Sequence, residues 1–180
     1  NLGAFDGQSG ARGAAGTGTG DGGSATSGST SVILDGGILA LTGILALRDQ
    51  SEGGAGLRGG NVLAGVNSAV TFSATGSTIS FTPDGEGRTG ITLDAIATGG
   101  AGVSTGGNAT SAPVRFSLLE TDLSGVTLGL RSLATGGSVS DANGIGGAAT
   151  SGLVGVTLRN ATLGVRGGLL VASDAFGGGG

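Results

Sequence analysis

The sequence lacks most of the residue types on which protein chemistry depends. Its 180 residues include no Cys, His, Trp, Tyr or Met, and every basic residue is an arginine. Without a thiol, the chain can form neither a disulfide framework nor a zinc–thiolate site. Without an imidazole, the commonest general base and metal ligand is missing. The sequence therefore predicts a protein that is not an enzyme, with no catalytic residue, no metal ligand and no cofactor.

Charge and long hydrophobic runs are also scarce. Charged residues make up 11% of the chain and the net charge is −4, so the basic surface that binds a nucleic-acid backbone is missing. Five phenylalanines are the only aromatics, which argues against base stacking. The longest apolar stretch, Ile38 to Leu47, is interrupted by Gly43 and is too short to span a bilayer. No signal peptide is visible at Asn1, so any export signal or anchor is expected outside this segment.

What the chain has in abundance is glycine. There are 44 glycines, more than three times the usual share of about 7%. A disordered chain would combine such a composition with few apolar residues and high net charge. Here 37% of the residues are hydrophobic and the mean hydropathy is +0.32. The composition favours an ordered β architecture with a thin core and glycine-rich connections.

Apolar residues alternate with Thr, Ser, Gly and Arg wherever they are dense, as in Val70-Thr71-Phe72 and Val114-Arg115-Phe116. A period of two is typical of half-buried strands. The segment Ile38 to Arg48 fits either a helix or two short strands broken at Thr42-Gly43. The predicted core residues are Val70, Phe72, Ile79, Phe81, Val114, Phe116, Val126, Leu128, Val154 and Val156.

Two motifs recur at a spacing of about 40 residues or twice that. The first is GGxATS, at residues 22–27, 106–111 and 146–151, and the second pairs LDAIATGG at 93–100 with LRSLATGG at 130–137. Such a period indicates a repeat array. We expect a glycine-rich loop or linker over 1–30 and a repetitive all-β region over 31–180, with units starting near 31, 70, 114 and 154.

One unit cannot bury its own apolar face, so neighbouring units must stack. This favours a stacked β-repeat or β-solenoid. A β-sandwich with long glycine-rich loops is the alternative, because turns every 9–12 residues also suit that fold.

The GGxATS loops, the run VTLRNATLGVRGGLLV and the pair LDAIATGGAG and LRSLATGGSV resemble the glycine-rich repeat regions of large bacterial surface and secreted proteins. Autotransporter passengers and filamentous-haemagglutinin-like adhesins are examples. The resemblance implies export, a β-helical fold and a role in adhesion, biofilm or cell-surface layers. We therefore expect a structural segment of an extracellular surface protein, adhesin or self-assembling fibre. Its expected partners are copies or neighbouring repeats of the same protein, with surface glycans as a further candidate.

Two other functions stay open. Residues 97–112 and 133–152 could form a glycan- or host-surface-binding module if they pack around one pocket. A polysaccharide-acting enzyme would need clustered carboxylates, for which the sequence offers Asp84 with Glu86, Glu120 with Asp122, and Asp94. Their positions in a turn tip and at strand ends favour solvated structural roles.

Calcium is the remaining metal candidate. Residues 16–21 contain a fragment of the calcium-binding nonapeptide repeat, but its nine-residue spacing is absent. Single aspartates in glycine-rich loops are explained by Asx turns; these are Asp6, Asp21, Asp84, Asp141 and Asp174. Asn108-Ala109-Thr110 and Asn160-Ala161-Thr162 match the glycosylation pattern at a frequency close to chance.

Overall fold

The computed structural model describes residues 4–180 as a β-solenoid of about four coils, with strands and no helix in that range. The predicted stacked β-repeat is confirmed. All strand pairs in the described chain are parallel, whereas a β-sandwich is built from antiparallel sheets. No helix of residues 4–180 is long and apolar enough to cross a membrane.

The strands follow one another along the chain in a repeating order. They are β1 (Phe5–Arg12), β2 (Ala25–Ser27), β3 (Thr30–Asp35), β4 (Ile38–Thr42), β5 (Ile44–Glu52), β6 (Gly56–Arg58), β7 (Val62–Ala64), β8 (Val70–Thr75), β9 (Thr78–Thr82), β10 (Gly90–Thr98), β11 (Gly102–Thr105), β12 (Ala109–Thr110), β13 (Val114–Leu119), β14 (Leu123–Thr135), β15 (Ala149–Thr150), β16 (Val154–Arg159) and β17 (Leu163–Phe176). The segment 38–48 forms two strands broken at Gly43, which has a φ of 88°.

Three parallel sheets form the faces of the solenoid. The long face contains β1-β5-β10-β14-β17, the short face β2-β7-β12-β15, and the third face β3-β8-β13-β16. On the third face, Thr30, Val70, Val114 and Val154 stand in one column. The segment 1–30, for which a loop or linker was expected, contributes β1 and β2 beyond its first three residues.

The long and short faces converge like the sides of a wedge. Along β10, the inward side chains are Ile91, Leu93, Ala95 and Ala97, and Gly99 follows the strand. Packed sheets ordinarily lie about 10 Å apart. Because the inward side chains shrink along the strand, the sheets approach until backbone meets backbone at Gly99.

The hydrophobic core fills the wide end of the wedge. Of the predicted core residues, Val70, Phe72, Ile79, Val114, Phe116, Val126 and Leu128 are buried, and Phe81 and Val154 are partly buried. The rings of Phe72 and Phe116 stack with centroids 5.5 Å apart. Val156 occupies the same column as Phe116 but is 41% exposed, because no strand of the described chain covers β16 on its far side.

Glycine doublets close the narrow end of the wedge. They stand where the chain leaves the long face and where it returns to the short face. The outgoing positions are Gly13-Ala14, Gly53-Gly54, Gly99-Gly100, Gly136-Gly137 and Gly177-Gly178; the returning positions are Gly22-Gly23, Gly59-Gly60, Gly106-Gly107 and Gly146-Gly147. We call these two columns the neck, and the chain between them in each coil the arm.

The two glycines of a doublet donate their N–H groups in different directions. The first donates along the solenoid axis, as Gly53 N does to Thr98 O at 2.9 Å. The second donates across the neck, as Gly60 N does to Gly54 O at 2.8 Å. Eight cross-neck bonds of 2.7 to 2.9 Å run unbroken from Gly23 to Gly178, each donor residue's carbonyl accepting the next bond. Backbone groups alone therefore tie every coil to its neighbours.

Apart from the end positions Ala14 and Gly177, space rather than backbone angle requires glycine in the neck. None of the doublet glycines has a positive φ. A Cβ on Gly107 would meet Gly60 O, and a Cβ on Gly54 would meet Ala14 O, both well under 3.0 Å. The obstructing atoms belong to the backbone, so no side chain can move aside to relieve the clash.

A glycine-to-alanine substitution should affect the free energy of unfolding differently inside and outside the neck of the same coil. Gly107→Ala should destabilise the fold by about 3 kcal/mol or more, at the upper end of overpacking costs. Gly129→Ala is the control, because its Cβ would meet only Thr92 side-chain atoms at 3.7 Å or beyond. It should leave stability unchanged or raise it by up to about 1 kcal/mol. Guanidinium unfolding followed by circular dichroism measures both, and equal effects would contradict this account of the neck.

Candidate functional site

Asp84, a candidate acid from the sequence, fastens a local loop between β9 and β10. Its Oδ1 accepts hydrogen bonds from the N–H groups of Glu86 and Arg88, both at 2.9 Å. Arg88 Nε donates to Asp84 Oδ2 at 2.9 Å, and Arg88 also pairs with Glu86. The backbone bond from Arg88, followed by its side-chain bond, lowers the pKa of Asp84. Asp84 is thus held ionised as a structural acceptor.

The other candidate carboxylates lie on different elements. Asp94 is on the outer side of β10, 3.9 Å from Arg48 Nε; burial raises its pKa, and the charges of Arg48 and Arg131 oppose that shift. Glu120 occupies the corner between β13 and β14. Asp122 Oδ1 accepts a bond from Thr162 N at 2.8 Å. Within residues 4–180, no three Asp or Glu side chains come together as a metal ligand set.

Of the other aspartates expected in glycine-rich loops, Asp21 and Asp141 lie in loops, whereas Asp6 and Asp174 lie on strands, so an Asx turn does not explain all four. Asp141 Oδ1 accepts a bond from Asn143 N at 3.0 Å, which is the predicted Asx turn. Asp21 Oδ1 accepts from Arg58 N at 3.3 Å, and Asp6 accepts from the Gln8 amide. Asp174 lies on β17.

Glu120 and Asn160 occupy the same corner position, in successive coils, as two glycines of the earlier coils. Gly36, Gly76, Glu120 and Asn160 follow the four strands of the third face, with φ between 48° and 65°. A left-handed conformation suits Gly and is tolerated by Asn, so Glu120 carries the strain in this column. The glycosylation-like Asn160 is therefore also explained as a corner residue.

Asp49 is a buried carboxyl that was not among the candidate residues identified from the sequence. It points inward from β5, in a column with Ser9, Ala95, Ser132 and Ser173. Ser9 Oγ donates to Asp49 Oδ1 at 3.2 Å, whereas Oδ2 has no partner in the described chain. Burial raises the pKa of Asp49, and the hydrogen bond from Ser9 lowers it in part.

The serines of this column are better satisfied than Asp49. Ser132 Oγ lies 2.8 Å from Ser111 Oγ, donates to Ala112 O at 3.0 Å and accepts from Gly152 N at 2.9 Å. Ser132 is therefore buried without an orphaned group. Asp49 is therefore the residue of this column whose burial is least compensated by hydrogen bonds, and because it is fully buried it has no access to a ligand.

A groove with polar side chains on both walls runs beside the neck. It has a volume of about 510 Å³. Its floor is the returning glycine column. One wall is the arm column Arg58, Thr105 and Ile145, and the other is the column Ser24, Asn61, Asn108 and Ala148. We call it the arm groove. Residues 97–112 and 133–152 both contribute to it, the arrangement that the glycan-binding alternative requires.

A ladder of asparagines holds the second wall in place. Asn61 Oδ1 accepts a bond from Asn108 N, and Asn108 Oδ1 accepts from Ala148 N, each at 2.8 Å. Each side chain thus bridges two coils through its oxygen. Both residues are exposed, and their NH2 groups have no hydrogen-bond partner among residues 4–180.

The buried carboxyl predicts a pH-dependent gain from one substitution. The pKa of Asp49 is higher in the folded protein than in the unfolded chain. Protonated Asp49 therefore favours the folded state at a pH below its unfolded-state pKa. This stabilisation is lost as the pH rises through the folded-state pKa, where Asp49 becomes a buried charge. Asp49→Ser should therefore raise stability at pH 7 by about 1–3 kcal/mol, and the gain should shrink towards pH 4. Urea unfolding across that range measures it. The exposed Asp35→Ser is the control, and a gain that does not depend on pH would contradict the explanation.

Comparisons with protein-family models, with curated proteins and with solved structures found no match to this chain. The function must therefore be argued from the coil architecture and from the surfaces it presents.

Proposed function

We propose that this chain is a structural segment of an extracellular bacterial surface protein, adhesin or self-assembling fibre. The observation that carries the proposal is the unbroken series of cross-neck hydrogen bonds through every coil. A solenoid tied together in this way can extend coil by coil into a rod, which would suit the spacing or display of other parts of a surface protein. The sequence resemblance to glycine-rich surface repeats supports the extracellular location.

The outer side of the rod is suited to water. On the third face, the outward positions include Thr71, Ser73, Ser117 and Thr157. Ion pairs on the outside join neighbouring coils, as Arg12 with Glu52 on the long face. Such exposed pairs contribute little stability, so they serve mainly to keep the surface solvated.

The inner side of the last coil supports association with further coils of the same kind. Leu158, Leu169 and Val171 are 45%, 61% and 48% exposed, although their column neighbours Leu118, Leu128 and Leu130 are buried. Exposed strand edges of this kind pair readily with other strands. The long face has five strands and the third face has four. If a second copy placed its β1 next to β17 of the first copy, the third face would have a gap. One strand position would be empty between β16 of the first copy and β3 of the second. Association between copies should accordingly be weaker than stacking within the chain.

The proposal predicts where the protein is found. Antibodies against the 180-residue chain should label intact, unpermeabilised cells of the source organism by immunogold electron microscopy, on the envelope or on fibres extending from it. An antibody against a cytosolic protein, which should label only permeabilised cells, is the control. Label confined to the cytoplasm of permeabilised cells would contradict the proposal.

A further inference from the structure

We propose that the arm groove binds a neutral, hydroxyl-rich polysaccharide chain lying along the solenoid axis. This deepens the proposed function, on which it rests, by naming a partner for the same rod. The groove follows the axis past Ser24, Asn61, Asn108 and Ala148, so its length grows with each coil.

The asparagine ladder supplies the donors. Because each Oδ1 is engaged by the next coil at 2.8 Å, the orientation of each amide is fixed. The NH2 groups of Asn61 and Asn108 then recur one coil apart, about 4.8 Å along the axis. Donors already held in place lose less side-chain freedom when a ligand binds. A regular row of such donors fits a polymer that presents a similar oxygen acceptor at each step.

The opposite wall has a mixed chemistry that also suits a sugar. Arg58 and Thr105 present a guanidinium and a hydroxyl, and the Ile145 side chain is 72% exposed beside them. A sugar ring has both hydroxyl groups and apolar C–H surfaces. The glycine floor has no side chains to fill the space between the walls.

The same groove is poorly suited to a peptide strand. Strand addition requires unpaired backbone groups at a sheet edge. Along the floor these groups are already bonded from coil to coil, as Gly59 N is to Thr105 O and Gly106 N is to Ile145 O, at 2.8 and 2.9 Å. A ligand must therefore be recognised by side-chain groups.

Charge favours a neutral polymer over an anionic one. Arg58 is the basic side chain that lines the groove, and the carboxylate of Asp21 lines it as well. The two opposite charges leave the groove without a strong field of either sign. Hydrogen bonding, rather than ion pairing, is then the basis of recognition.

Affinity electrophoresis through gels containing hydroxyethylcellulose, dextran or mannan tests the proposal. The double variant Asn61→Asp, Asn108→Asp keeps an oxygen acceptor for each backbone N–H and removes the NH2 donors. We expect at least one neutral polysaccharide to retard the wild-type chain, and the variant to bind it about tenfold more weakly or worse. The variant Thr110→Asp, Thr150→Asp adds the same charge on the outer side of the short face and should bind like wild type.

Three results would overturn the assignment. They are no retardation of the wild type by any of the neutral polysaccharides, retardation only in polygalacturonate gels, and equal loss of binding in both aspartate variants. Circular dichroism of each variant checks that the fold is retained. None of these results bears on the location measured by immunogold labelling, so the groove proposal and the structural proposal fail separately.

Discussion

The cross-neck hydrogen bond between glycine backbones is the interaction on which the rest of the structure depends. It requires two chain segments to approach until a carbonyl oxygen occupies the space of a Cβ, as Gly107 O does beside Gly99 across the neck. Once that approach is fixed, the long and short faces must converge, and the inward side chains must become small towards the neck, as they do from Leu93 to Ala97 along β10. The hydrophobic core is then confined to the wide end, where Phe72 and Phe116 stack.

The close approach at the neck also divides the residues into two groups, those that hold the coils together and those that form the outer surface. Neck and core use backbone groups and small or apolar side chains, so the polar side chains are free to vary on the outside. The asparagine ladder lies at the boundary between the two. Its oxygens reinforce the stacking of coils, while its NH2 groups have no partner among residues 4–180 and belong to residues that line the arm groove. Asp49 shows the reverse case, where a carboxyl inside the wedge has one oxygen without a partner.

Much of the fold follows from the sequence, because strands have a period of two and stacked coils have a fixed spacing. The alternation around Val70 and Val114 located two strands of the third face, and the recurring GGxATS and ATGG motifs marked both sides of the neck. The reason that the doublets are glycine did not follow from the sequence, because it lies in contacts between residues 6 to 47 positions apart. The exposure of Val156 was also missed, since burial depends on a neighbouring coil. For the arm groove, the loops 97–112 and 133–152 were identified as candidates from the sequence. The pairing of Asn61 with Asn108 could not be predicted, because it depends on the register between neighbouring coils.

Amide hydrogen exchange by NMR tests the neck most directly. If the cross-neck bonds hold the coils together, the amides of Gly60, Gly100, Gly107 and Gly137 should exchange only through global unfolding, as slowly as that of Phe116 in the core. Ordinary glycine loops exchange far faster than a core amide. Exchange of these four amides at loop-like rates, with Phe116 still protected, would contradict the account.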